Sequence, residues 1–95
     1  EDNMLFPRTI YADRNTLEQQ IDHIESEIRE AREALESGDF DHVARELVDV
    51  QHSADTGLRI AMEQHGADSY GAYTAVTINN TRRGYYGDVV GSEPK

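Results

Sequence analysis

From Asn15 to Leu35 the apolar residues fall at Leu17, Ile21, Ile24, Ile28, Ala31 and Leu35, alternately four and three positions apart. That rhythm lines one face of an α-helix, with Asn15 or Thr16 as its N-cap. Ser37-Gly38-Asp39 reads as a stop and a restart. Glycine supplies the left-handed residue past a helix end, and Asp39 or Asp41 can cap the next helix. The same spacing returns at Val43, Leu47, Val50, Ala54, Gly57 or Leu58, and Ala61, which predicts a second helix ending near His65-Gly66. The connection is short, so the two helices should run antiparallel. Asp68-Ser69 offers a further cap, and a shorter third helix is expected through Ala72, Tyr73, Val76 and Asn80, despite its β-branched residues.

Outside these helices the pattern fades. Residues 1–14, with Phe6-Pro7, read as an extended N-terminal arm, and residues 82–95, with three Gly and one Pro, as an irregular tail anchored by Tyr85-Tyr86. Residues 15–81 form the domain between them. Residues 1–3, ahead of Met4, read as an added segment or as the trace of a trimmed N-terminus. The expected fold class is all-α: an antiparallel helical hairpin plus a shorter third helix. Three helices in 95 residues leave the second sides of the two long helices uncovered. The bundle is therefore expected to be completed by homo-oligomerisation, as a dimer or tetramer.

Charge narrows the partners. Nineteen acidic against nine basic residues give a formal net charge of −10, which argues against a nucleic-acid backbone as partner and suits metal cations. No cysteine is present, so thiolate metal sites and disulfides are excluded. No apolar run has the length of a membrane span and no signal-peptide pattern opens the chain, so no membrane partner is expected and the expected location is cytoplasmic.

The acidic residues carry a second pattern. At about 100° per residue, Glu27 lies roughly 80° and Glu30 roughly 140° from the centre of the first apolar stripe. Glu46 and Asp49 lie about 70° and 130° from the second, with the same sense of rotation. Glu27 and Asp49 are each eleven positions from Gly38, and Glu30 and Glu46 each eight. A turn centred on Gly38 would put all four carboxylates on one side of the hairpin, Glu27 level with Asp49 and Glu30 with Glu46. Ala31, Ala34, Ser53 and Gly57 lie along the same edge and would leave room for a ligand or another element. Two readings stay open at this point: an ordinary solvated helix face with i,i+4 pairing, or a carboxylate cluster around a cation such as Mg²⁺.

The pattern Glu27-Ile-Arg-Glu30, fifteen residues, then Glu46-Leu-Val-Asp49 resembles the MazG family of all-α nucleoside triphosphate pyrophosphohydrolases. The likeness extends through ALESGDFDHVARELVDVQHSADTGLRI and into the tail segment NNTRRGYY, covering about residues 17–86. It implies that Glu27, Glu30, Glu46 and Asp49 are ligands of Mg²⁺, with Mn²⁺ as a substitute. It also implies that an NTP or dNTP is hydrolysed to the monophosphate and pyrophosphate, as house-cleaning or control of the nucleotide pool. Glu30, farthest from the helix interface, would activate the attacking water. Asn80, Arg83 and Tyr85 would contact the substrate, the Arg through its fork of donors and the Tyr by stacking. The chain departs from the family pattern at Asn79, where a Lys is common, and at Arg45, where many members carry Glu.

Other function classes fit less of the sequence. A phosphoribosyl-ATP pyrophosphohydrolase or a relative restricted to one nucleotide would share the same residues, whereas a non-catalytic helical interaction module would share only the scaffold. Asp49-x-x-His52 matches one half of the di-iron motif of ferritin-like bundles, which needs a second copy. His23, His42 and His65 show no mutual metal-ligand spacing and read as surface or interface residues.

Overall fold

The computed structural model describes residues 5–87, and every regular element among them is helical. The elements are α1 (Tyr11–Arg14), α2 (Leu17–Ser37), α3 (Phe40–His65) and α4 (Ser69–Arg82). None is long and apolar enough to cross a membrane.

Local chemistry sets each boundary. Thr16 opens α2 with a reciprocal capping box: its hydroxyl accepts from Gln19 N–H at 3.1 Å, and its own N–H donates to Gln19 Oε1 at 2.9 Å. Such a box contributes about 1 kcal/mol. Gly38, at φ +80°, ends α2, and Asp39 starts α3 by accepting from His42 N–H. Gly66, at φ +73°, ends α3, and Asp68 caps α4 through Gly71 N–H.

Helices α2 and α3 pack side by side as the expected hairpin, but the seam between them is rotated from the apolar stripe. In α2 the buried residues are Gln20, Ala31 and Ala34, and in α3 they include Ser53, Gly57 and Ile60. Ile21, Ile28, Leu35 and Leu47 stay about half exposed. By helical spacing the α2 seam lies roughly 60° from the stripe centre, turned towards Glu27. The small residues explain the shift. Ala31, Ala34, Ser53 and Gly57 let the two backbones approach, and of the four Ser53 and Ala34 also border the clefts beside the seam. A methyl group built on Gly57 would lie 3.7 Å from Gln20 Cγ and 3.9 Å from Ile24 Cδ1. Gln20, 2% exposed, fastens the seam by donating from Nε2 to the Ser53 carbonyl and accepting at Oε1 from Asn15 Nδ2.

The N-terminal arm docks along a second face of α3, and within it Tyr11–Arg14 form a helical turn where an extended segment was expected. The Phe6 ring stacks on His52 with centroids 4.5 Å apart. Its backbone is held at both polar groups: Phe6 N–H donates to Asp55 Oδ2 at 3.4 Å, and Arg59 Nη2 donates to the Phe6 carbonyl at 2.8 Å. Asp55 and Arg59 are buried beneath the arm at 5% exposure each. Arg8 bridges Glu63 and Asp13, and these hydrogen bonds push its already high pKa higher, so it is charged at every relevant pH. Ala12, 1% exposed, closes the contact.

Helix α4 stands apart. Of its residues only Ser69 is buried, and Tyr70, Tyr73, Val76 and Ile78 are exposed. The radius of gyration, 16.1 Å, exceeds the roughly 12 Å of a compact domain of this size. An isolated helix of fourteen residues is marginal in water, the more so when it is rich in Thr, Val, Ile and Asn.

Candidate functional site

The carboxylates lie where α2 and α3 meet. On α2, His23, Glu27, Glu30 and Ala34 follow one another at intervals of four, three and four; on α3, His42, Glu46, Asp49 and Ser53 do the same. Residues so spaced share one helix face. Glu27 and Asp49 line one cleft, together with His23, His52 and Ser53. Glu30 and Glu46 line the next, together with Glu33 and His42. The level pairing about Gly38 is therefore present.

Burial divides the four into an inner and an outer pair. The side chains of Glu27 and Glu46 are each 13% exposed, because the rotated seam draws them in, while Glu30 and Asp49 face solvent. Each inner carboxylate has a histidine one turn before it. His23 Nε2 lies 3.2 Å from Glu27 Oε2, and His42 Nε2 lies 3.2 Å from Glu46 Oε2. The two histidines show no ligand spacing to each other; the i,i+4 offset to a glutamate in each helix is the sequence signal that finds them.

The second oxygens differ. Glu27 Oε1 accepts the Ser53 hydroxyl across the seam at 2.5 Å, whereas Glu46 Oε1 is buried with no hydrogen-bond partner. A buried carboxylate oxygen without a donor is costly unless a cation or another donor completes it. That orphan and the hard-oxygen donor set fit a divalent ion such as Mg²⁺. Among the described residues, no three His, Asp or Glu side chains are gathered closely enough to enclose a metal. The carboxylates thus stand as two level pairs rather than the single cluster expected from the helical wheel.

The cleft of Glu27 and Asp49 has a further wall that the sequence did not reveal. Thr9 and Tyr11, carried in by the docked arm, line it opposite α2, and Thr56 lies beside Thr9 with their hydroxyls 3.4 Å apart. His52 Nε2, under Phe6, is buried without a partner. Asn80, Arg83 and Tyr85 form a separate group at the end of α4. Arg83 Nη1 donates to Tyr85 Oη at 2.8 Å with its guanidinium 5.1 Å from the ring centroid, and Tyr85 N–H donates to the Asn80 carbonyl. These three residues line none of the clefts formed by the carboxylates. No family model, curated protein or solved structure matches the chain.

Proposed function

We propose that the protein is a Mg²⁺-dependent nucleotide pyrophosphohydrolase that cleaves an NTP or dNTP to the monophosphate and pyrophosphate. The observation that carries this reading is Glu46 Oε1, a buried carboxylate oxygen without a donor, in a row of four carboxylates paired level across a helical hairpin. The MazG-like order of the motifs supplies the reaction class. Glu27, Glu30, Glu46 and Asp49 would hold the ion once their two level pairs are drawn together on it, and the ion would supply positive charge against the phosphate oxygens.

The chain's own residues do the remaining work. His23 and His42 fix the inner carboxylates in place. Glu30, exposed and unencumbered by the seam, accepts a proton from the attacking water. The water oxygen bonds to phosphorus as the α–β anhydride bond breaks, the electron pair leaves with pyrophosphate, and the proton passes from Glu30 to solvent. Once α4 is packed in an oligomer, Asn80, Arg83 and Tyr85 would contact the substrate, the Arg at phosphate oxygens and the Tyr by stacking.

A homo-oligomer, dimer or tetramer, belongs to the same reading. It is supported by the half-exposed stripe of Ile21, Ile28, Leu35 and Leu47, by the exposed Tyr and Val of α4, and by the expanded radius. The deciding experiment incubates purified protein with Mg²⁺ and a panel of NTPs and dNTPs and measures pyrophosphate. Release from at least one substrate, abolished in Glu46→Gln and Asp49→Asn, supports the reading; a folded protein that releases none from any substrate overturns it.

A further inference from the structure

The cleft between the N-terminal arm and the hairpin differs from its neighbour in a way that assigns the two ends of a nucleotide. We infer that this cleft is the nucleoside subsite and that the arm determines base selectivity, an inference that rests on the nucleotide reading of the carboxylates. The neighbouring cleft near the turn carries Glu30, Glu33 and Glu46 and, among the described residues, no Phe, Tyr or Trp, so it offers an uncharged base no broad stacking face. The arm-side cleft is lined by Tyr11, a residue 53% exposed, and by Thr9, Thr56 and Ser53.

Size and construction point the same way. The cleft holds about 180 Å³, below the roughly 300–1,000 Å³ of sites that enclose a drug-sized ligand, so it takes one ring-sized moiety. Thr9 and Thr56 are 3.4 Å apart, a long contact that leaves both hydroxyls with donor and acceptor capacity for a base edge or a sugar. The wall they belong to is built: the arm is pinned outside the cleft by Phe6 on Asp55 and Arg59, and by Arg8 on Glu63. Tyr11 is thereby presented to the cleft from a fixed base. Glu27 and Asp49 line the same cleft, so a nucleoside seated there would have its 5′ end beside the carboxylates.

The test titrates the full chain with free nucleosides, without metal, and follows backbone amide signals by NMR. At least one nucleoside should give saturable shifts at Thr9, Tyr11 and Thr56. Tyr11→Ala should weaken it roughly tenfold, the scale of one base–aromatic stack. Thr9→Val, which keeps the shape and removes the hydroxyl, should change the ranking among bases. If the wild type releases pyrophosphate from a triphosphate while its nucleoside leaves these signals unmoved, the subsite assignment is overturned and the catalytic reading survives. If nucleosides bind as stated and no triphosphate is cleaved, the subsite stands and the catalytic reading falls. Shifts confined to α4 and residues 83–87 would also overturn the assignment.

Discussion

His42 Nε2 lies 3.2 Å from Glu46 Oε2, and this contact leaves the other oxygen of Glu46 buried and unpartnered. The asymmetry makes a metal-dependent prediction. Glu46→Gln removes a negative charge that the apo protein must accommodate, so without metal its melting temperature should equal or exceed that of the wild type. On the proposed metal site, Mg²⁺ or Mn²⁺ should raise the melting temperature of the wild type in proportion to site occupancy, and this shift should largely disappear in the variant. Scanning calorimetry with and without metal reads both effects, and an unchanged metal-induced shift in the variant would remove Glu46 from the ligand set.

Gly57 presents the reverse of the usual rule that a buried glycine at a helix crossing is irreplaceable. An added methyl would meet its neighbours at ordinary van der Waals distance, and an interior helical glycine costs roughly 0.5–1 kcal/mol relative to alanine. Gly57→Ala should therefore stabilise the protein by about 0.5 kcal/mol in urea denaturation. Gly57→Leu should destabilise it by roughly 1–3 kcal/mol through overpacking.

Beneath the arm, Asp55→Ala should be the most damaging single change away from the carboxylates. It deletes the acceptor of Phe6 N–H and takes a carboxylate from beside the buried Arg59 guanidinium, 3.9 Å away. Arg59 keeps its bond to the Phe6 carbonyl, so the loss of the Asp55 acceptor should cost about 1–3 kcal/mol. Asp55→Asn, which retains an acceptor, should cost less. Amide exchange at residues 6–12 should rise in the alanine variant before exchange across the α2–α3 seam does.

The half-exposed stripe is tested by charge. Ile28→Glu and Leu47→Glu should lower the mass measured by analytical ultracentrifugation to that of a single chain and reduce pyrophosphate release. On a free monomer surface such changes would fall within about ±0.5 kcal/mol of neutral. Unchanged mass in both variants would place the oligomer contact elsewhere.

Helix ends and pairing register were legible because they depend on local chemistry and counting. Thr16, Gly38, Asp39, Gly66 and Asp68 act where their residue types act in general, and a turn at Gly38 fixes which carboxylates are level. The rotation of the seam was not legible from apolar spacing alone. Hydrophobicity ranks Ile28 and Leu47 as core, yet close packing favours the side where Ala31, Ala34, Ser53 and Gly57 let backbones meet, and the apolar stripe is left facing outwards. The docking of the arm was hidden for a different reason. It depends on charged residues far along the chain, Asp55 and Arg59 clasping the Phe6 backbone and Glu63 the Arg8 side chain, in a segment that carries no periodic signal.

Helix α4 follows the Gly66-Ala67-Asp68 joint and extends about 21 Å from it, with Ala72, Tyr73, Val76 and Thr77 lining a shallow cleft beside Leu58 of α3. It is a lever with its pivot at one end and Arg83 at the other. A change of about 10° at the pivot carries Arg83 by about 4 Å, more than the length of a hydrogen bond. The substrate contact proposed for Arg83 therefore depends on the joint as well as on Arg83 itself. Substitutions at Gly66 or Asp68 should alter substrate affinity by moving the far end of the lever, with the carboxylates left as they are.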